Sequence, residues 1–412
     1  MSNHGIEVAR EYEAPYVPHE QVNRQLGRVS LEGFMLAPPI ETENNPLNKL
    51  GADLNHAIVG QPDAIESIIT ALGREELRNP ERPVANLLFL GPTGVGKSET
   101  AKELARQLHK DDEEGENFLK IDCSLFSHGH EVIALLGAPP SYVGRDQKPW
   151  FDPDIIERDD SVVLFDEVEK GSQPLWDLML QIMEDGEVKL TGTGNVVSFK
   201  NSIIIMTSNL GSQEISTLLE TKQTGFQSAR RPDEAKSKEQ INNAATKALK
   251  LHFRPEFINR FDERVVFGSL DDEQMGEVLN RYLDKANERY KQKRGVQLAI
   301  SPELREQMVT STDERHEFGP RPILRKFERI VESDLSMRVR MGSIPEASHV
   351  YVDMADEVVD LNSEDSEKIQ FYYKTDSQLQ EFLENSRRVV EEPEEEEEDD
   401  EPVVSTELVP VE

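Results

Sequence analysis

Residues Leu87–Ala105, LLFLGPTGVGKSETAKELA, run from an unbroken apolar stretch through a glycine-rich turn into a series of helix-forming residues. The four apolar residues Leu87 to Leu90 read as a strand buried on both faces. The turn that follows, Gly91, Pro92, Thr93, Gly94, Val95, Gly96, Lys97 and Ser98, fits a phosphate cradle. Its glycines let backbone N–H groups wrap an anion at the N-terminus of the next helix, where the helix dipole also favours negative charge. Lys97 can then reach the β- and γ-phosphates of a nucleotide, and the Ser98 hydroxyl can bind Mg²⁺. Mg²⁺ and a nucleotide bearing β- and γ-phosphates are the expected ligands, and the expected fold class is α/β.

Three more apolar runs, Phe118 to Ile121, Val162 to Phe165 and Ile203 to Met206, each end in polar residues or glycine and are separated by helix-like stretches. That pattern predicts a buried parallel sheet. One intervening helix is marked by a stripe of Leu175, Leu178, Met179, Ile182 and Met183, with Ser172 placed to cap it, Pro174 in its first turn and Gly186 after its end. The run SVVLFDE supplies the carboxylates that a phosphate loop needs. Asp166 ends a buried run where it can hold Mg²⁺ through its waters, and Glu167 can polarise the attacking water; a solvated strand end is the plainer alternative. SIIIMTSN ends in Asn209, whose amide either meets the γ-phosphate or the attacking water, or caps the strand.

After Phe267 the pattern changes. Met275, Val278, Leu279, Tyr282 and Leu283 form a helical stripe, while Val296/Leu298/Ile300, Val350/Val352/Met354 and Ile369/Phe371/Tyr373 alternate as strands. The chain is therefore expected to divide into a flexible arm (1–45), a large domain (46–267), a smaller helix-plus-strand domain (268–375) and an acidic tail (376–412). The tail contains EEPEEEEEDDEP, whose self-repulsion and lack of apolar residues favour disorder.

Among 412 residues, 46 basic stand against 80 acidic, a net charge of -34, which argues against nucleic acid or an anionic membrane as the main partner. Cys123 is the single cysteine and cannot form an internal disulfide. No apolar run resembles a signal peptide or approaches the roughly 20 residues of a membrane span, so a cytoplasmic location is expected.

The stretches LLFLGPTGVGKSETAKELA, GAPPSYVG, VVLFDEVEK, IIIMTSNLGS, FRPEFINRFDE and FGPRPILR follow one another in the order found in AAA+ ATPases of the Clp class. From about Asn48 to Met354 the chain resembles the second ATPase ring of the ClpB, ClpC and ClpA unfoldases. The resemblance implies a P-loop AAA+ large domain, its parallel sheet flanked by helices, with a smaller α+β C-terminal lid domain. It also implies a homo-hexamer with ATP between neighbours that pulls unfolded or misfolded protein clients through a central pore. By position, Asn209 matches the first sensor residue, Arg260 in FINR the arginine finger and Arg321 in FGPR the second sensor. A guanidinium reaching the γ-phosphate from a neighbour stabilises transition-state charge, an effect worth about 10³ to 10⁵ in rate.

GAPPSYVG, Gly137 to Gly144, matches the pore loop, so Tyr142 and Val143 would grip the threaded chain. A flat aromatic offers contact area to any sequence at little cost in rotamer entropy. Ser141 stands where the class carries glycine, Lys148 and Pro149 where a Gly-Gly pair is common, and Pro320 where a small residue precedes the sensor arginine. The stretch before Asn48 is too short for the class's folded N-terminal domain, and neither a first ring nor a coiled-coil insertion is present, so a single-ring machine is expected. The segment QTGFQ, Gln223 to Gln227, lies where peptidase-coupled members carry a docking loop. Gly225 and Phe226 would enter a pocket of a ClpP-type peptidase, although Thr224 replaces the usual aliphatic residue; a plain surface loop is the alternative. A regulatory ATP switch that remodels a partner without threading is the rival to the unfoldase reading.

Overall fold

The computed structural model describes residues 45–74, 78–110, 117–138, 148–212, 234–312, 315–355 and 369–379, with backbone alone at 234–242, 316 and 317. In chain order the strands of the first region are β1 (Ala85–Leu90), β2 (Phe118–Asp122), β3 (Ser161–Asp166), β4 (Glu187–Lys189), β5 (Val196–Ser198), β6 (Ser202–Ser208) and β7 (Glu263–Val266). Five of them form a sheet in the order β2-β3-β6-β1-β7, with every neighbouring pair parallel. β4 and β5 form a separate antiparallel hairpin.

Three of the four apolar runs, those of β1, β3 and β6, occupy the centre of this sheet, where both its faces are covered, while the run that forms β2 lies at an edge and is only partly buried. Leu88, Leu90, Val163, Phe165, Ile204 and Met206 point into one core. Their alternating neighbours Leu87, Phe89, Val162, Leu164, Ile203 and Ile205 point into the other. Numbering the helices of seven residues or more, α1 (Pro46–Ala57), α2 (Pro62–Leu72) and α3 (Lys97–Leu108) cover the second face. The stripe predicted between Leu175 and Met183 lies on α4 (Gln173–Asp185) and covers the first.

Gly186 closes α4 in the left-handed region (φ 63). Ser172 sits at the cap position but its hydroxyl caps nothing, contrary to expectation, and its Oγ is buried without a partner. Pro174 has no N–H to offer, and the Leu175 N–H already donates to the Ser172 carbonyl at 3.0 Å. Beyond α5 (Glu234–His252), strand β7 adds at the open edge beside β1, and Phe267 N–H donates to Leu90 O at 2.8 Å.

The second region opens with α6 (Asp272–Arg294). Asp271 accepts from Gln274 N–H at 2.8 Å while Gln274 Oε1 accepts from Asp271 N–H at 3.1 Å, a reciprocal cap. After β8 (Gln297–Ile300) come α7 (Pro302–Thr310), α8 (Arg321–Phe327), a π-helical turn at Glu328–Glu332, α9 (Ser333–Arg340), β9 (Ser348–Met354) and β10 (Ile369–Thr375). These strands form a sheet in the order β10-β9-β8, antiparallel then parallel. Leu279, Leu298, Leu304, Phe327, Val331, Val350 and Val352 make its core. Tyr373 shares a strand face with Ile369 and Phe371 yet remains 45% exposed, because β10 is the edge strand.

Candidate nucleotide-binding site

The P-loop leaves β1 at its C-terminal end, where parallel α/β sheets bind ligands, and enters α3 through Gly96 in the left-handed region (φ 101). Two of its glycines are required by close approach as well as by backbone angle. A Cβ on Gly91 (φ 143) would lie 2.5 Å from Phe267 O, and one on Gly94 (φ 80) would lie 2.5 Å from Phe318 O. The loop is thus clasped between Phe267, just after β7, and Phe318 of the second region.

Lys97 is buried, and its Nζ donates to Gly91 O and Pro92 O at 2.6 Å and to Asn209 Oδ1 at 2.8 Å. Burial pushes its ammonium down to about 8, against the pull of Glu169 and Asp166. Asn209 is therefore turned into the site rather than capping its own strand, and its N–H donates to Glu169 Oε1 at 3.0 Å.

Asp166 ends β3 beside the P-loop. Its Oδ1 accepts from the Ser98 hydroxyl at 2.8 Å and the Thr207 hydroxyl at 2.5 Å, and Lys120 Nζ sits 2.6 Å from its Oδ2. Burial pushes this carboxyl up, but the bonds from Lys120, Thr207 and Ser98 outweigh it and hold the group below its ordinary value. Glu167 follows in the left-handed region (φ 57), an unusual conformation for a glutamate, held by its N–H donating to Thr207 Oγ1 at 2.9 Å. Its Oε2 lies 2.5 Å from Lys170 Nζ.

Gly94, Lys97, Ser98, Asp166, Glu167, Thr207 and Asn209 line a cleft of ≈ 480 Å³ together with Thr93, Val95, Gly96 and Arg321. Its apolar lining comes from Ile58 and Val59 of the first region and Leu270, Val278, Tyr282 and Leu324 of the second. The cleft thus combines apolar side chains with the Lys97 ammonium and the backbone of the P-loop, a lining that suits a nucleoside triphosphate. The donor set of Ser98 Oγ and the Asp166 carboxylate is all hard oxygen, which suits Mg²⁺.

Sequence reasoning missed several members. Gln61 is a buried amide whose Nε2 donates to Gly268 O at 2.9 Å while its Oε1 accepts from Gly268 N–H at 3.0 Å; Nε2 also lies 3.4 Å from Val95 O. It staples the P-loop to the junction between the two regions. Lys285 Nζ meets Glu99 Oε1 at 2.8 Å, and Arg281 donates to the His56 carbonyl, so α6 is tied across the mouth of the cleft. Thr207, the first polar residue after the run Ile203 to Met206, is a further missed member, and its place at a strand end was the one clue to it.

Arg260 is not among the cleft's lining residues; it pairs with Glu184 near the end of α4, and its Nε is buried without a partner. Tyr142, Val143, Gly225 and Phe226 lie outside the described residues. Among the described residues no helix is long and apolar enough to cross a membrane.

Residues 82–264 match the family model of the AAA domain (Cdc48 subfamily), and residues 270–352 match that of the C-terminal, D2-small domain, of ClpB protein. The chain is 35% identical over 347 residues to the chaperone protein ClpB of Meiothermus ruber, which covers 83% of this chain and 38% of that one. It is also 35% identical over 324 residues to the ATP-dependent Clp protease ATP-binding subunit ClpC of Staphylococcus aureus (strain USA300), covering 78% and 38% respectively. The chain thus spans well under half the length of these relatives.

Proposed function

Because the chain belongs to the AAA+ ATPases of the Clp class, a family defined by ATP hydrolysis, we propose that it is an ATP-driven protein unfoldase or remodelling chaperone that assembles as a hexamer and threads client polypeptide through its pore. In this reading residues 46–267 are the motor domain and residues 268–375 the lid. The observation that carries it is the meeting of Ser98, Asp166 and Lys97 in a cleft whose other wall belongs to the lid, so that what binds the motor also holds the lid.

The roles follow from position and chemistry. Lys97 and the backbone N–H groups of Gly94 to Ser98 hold the phosphates, and Ser98 and Asp166 hold the ion. Bound Mg²⁺ would neutralise charge shared by the β- and γ-oxygens. Glu167 orients the attacking water and accepts its proton, Asn209 aligns that water or the γ-phosphate, and Arg321 brings positive charge from the lid. Arg260, turned away from its own cleft, serves the site of a neighbouring subunit. Tyr142 and Val143 grip the client. The relatives' names, a chaperone and the ATP-binding subunit of a protease, match two outcomes for that client, release intact or delivery through Gly225 and Phe226 to a ClpP-type peptidase.

The test is Tyr142→Ala in the full chain. It should hydrolyse ATP at the wild-type rate and fail to unfold a tagged fluorescent protein. Wild-type unfolding would replace threading with a switch that remodels a partner by changing shape.

A further inference from the structure

Asp166 has more partners than a strand end requires, and one of them comes from a strand with no assigned part in nucleotide chemistry. Lys120 lies on β2, where it pairs in register with Leu164 while Asp122 pairs with Asp166. Lys120 and Asp166 therefore share one face of the sheet two positions apart, and the lysine stem spans that diagonal to place Nζ 2.6 Å from Oδ2. The other oxygen is occupied by Ser98 and Thr207. Glu167 has its own ammonium in Lys170, so balancing its charge does not account for Lys120. The Lys120 side chain is 48% exposed and that of Asp166 16%, which puts the pair at a rim where the ammonium can leave for solvent and the carboxylate cannot.

We propose that Lys120 is an internal competitor of the divalent ion for Asp166, and that it sets the Mg²⁺ concentration at which the nucleotide is held together with its metal. The proposal rests on the reading that Asp166 holds Mg²⁺. A divalent ion and its waters need the Asp166 lone pairs, and an ammonium on Oδ2 both occupies that oxygen and repels the incoming charge. Binding of the ion requires Lys120 to swing outward. A flexible, unbranched stem bearing a point charge suits that motion better than the planar fork of an arginine.

The experiment is a Mg²⁺ titration, starting in EDTA, of the binding of a fluorescent non-hydrolysable ATP analogue to the full chain. Lys120→Met should reach half-saturation at about five-fold lower Mg²⁺ than wild type, the upper range for a half-exposed ion pair. Lys120→Gln should behave as Lys120→Met does, and Lys120→Arg, which retains a cation and can hold the carboxylate with two N–H groups, should need at least as much Mg²⁺ as wild type. ADP binding in EDTA, which uses Lys97 and the backbone cradle, reports independently that each variant is folded. An unchanged midpoint in both neutral variants overturns the proposal, and a higher one shows instead that Lys120 positions Asp166. Asp166→Asn should abolish the metal dependence. If that dependence persists, the metal site lies elsewhere and both readings fall; if it vanishes while Lys120→Met matches wild type, only the competitor is lost.

Discussion

Lys97 Nζ donates to Asn209 Oδ1 at 2.8 Å, so one buried ammonium joins the loop after β1 to the end of β6. Because burial holds this group near 8 rather than at the lysine value of 10.5, its charge is lost over a pH range in which the protein can be studied. Phosphate oxygens would raise the value again, so the bound state keeps its proton to higher pH than the free state. Nucleotide binding should therefore take up a proton, negligibly at about pH 7 and approaching about one at about pH 9, and affinity should fall as pH rises through 8. Calorimetry in buffers of different ionisation heat reads the uptake directly. For folding alone the sign is opposite to that of a stabilising ion pair: the cost of burying a charged lysine applies below about 8 and is relieved as pH rises from there toward 10.5.

Gly94→Ala should reduce nucleotide affinity by more than about ten-fold while leaving the helical signal in circular dichroism intact. The methyl group would need a left-handed backbone and would lie 2.5 Å from the Phe318 carbonyl, so the loop must move away from Phe318. Gly276→Ala is the matched control. It lies inside α6, its added Cβ meets nothing within 4 Å, and helix propensity predicts a gain of about 0.5 to 1 kcal/mol, read as a higher Tm.

Gln61→Ala should cost about 1 kcal/mol in denaturant unfolding, because it removes the side-chain partner of both Gly268 peptide groups, which are only partly open to water. A loss of only a few tenths would mean that water replaces the amide. Nucleotide affinity should fall as well, since Gln61 also approaches Val95 within the P-loop.

The double variant Arg281→Ala/Lys285→Ala should barely change Tm, as exposed ionic contacts contribute about 0.2 to 1 kcal/mol each. It should nevertheless speed nucleotide release by about two- to ten-fold in stopped-flow measurements, because these two residues tie α6 to His56 and Glu99 across the cleft. High salt should mimic the variant and have little further effect on it.

The centre of the fold was legible because its strands are unbroken apolar runs, and in a parallel sheet covered on both faces such runs have no other place to go. Strand β7 was not: ERVV is short, begins with charge and lies at an edge, where one neighbour suffices. The P-loop, Asp166, Glu167 and Asn209 were legible because their chemistry is local to one turn or one strand end. Lys120 and Gln61 were not, since each acquires its partner through tertiary register. Gln61 finds Gly268 across the junction of two regions, and Lys120 finds Asp166 only when β2 lies beside β3. The Ser172 cap failed for a reason that was present in the sequence, the proline two positions later.

Strand order also bears on when the P-loop can first be completed during synthesis. β1 carries the P-loop, yet its two neighbours in the sheet are β6 and β7, whose residues are made about 120 and about 175 positions later. A nascent chain that has just exposed Gly91 to Ser98 has neither the wall that places Asn209 nor the Phe267 backbone against which Gly91 closes. Such distant pairings are slow to find and come late. On the proposed reading, nucleotide capture is expected only once the strand ending at Val266 has left the ribosome, and until then both apolar faces of β1 lack the strands that flank it in the sheet.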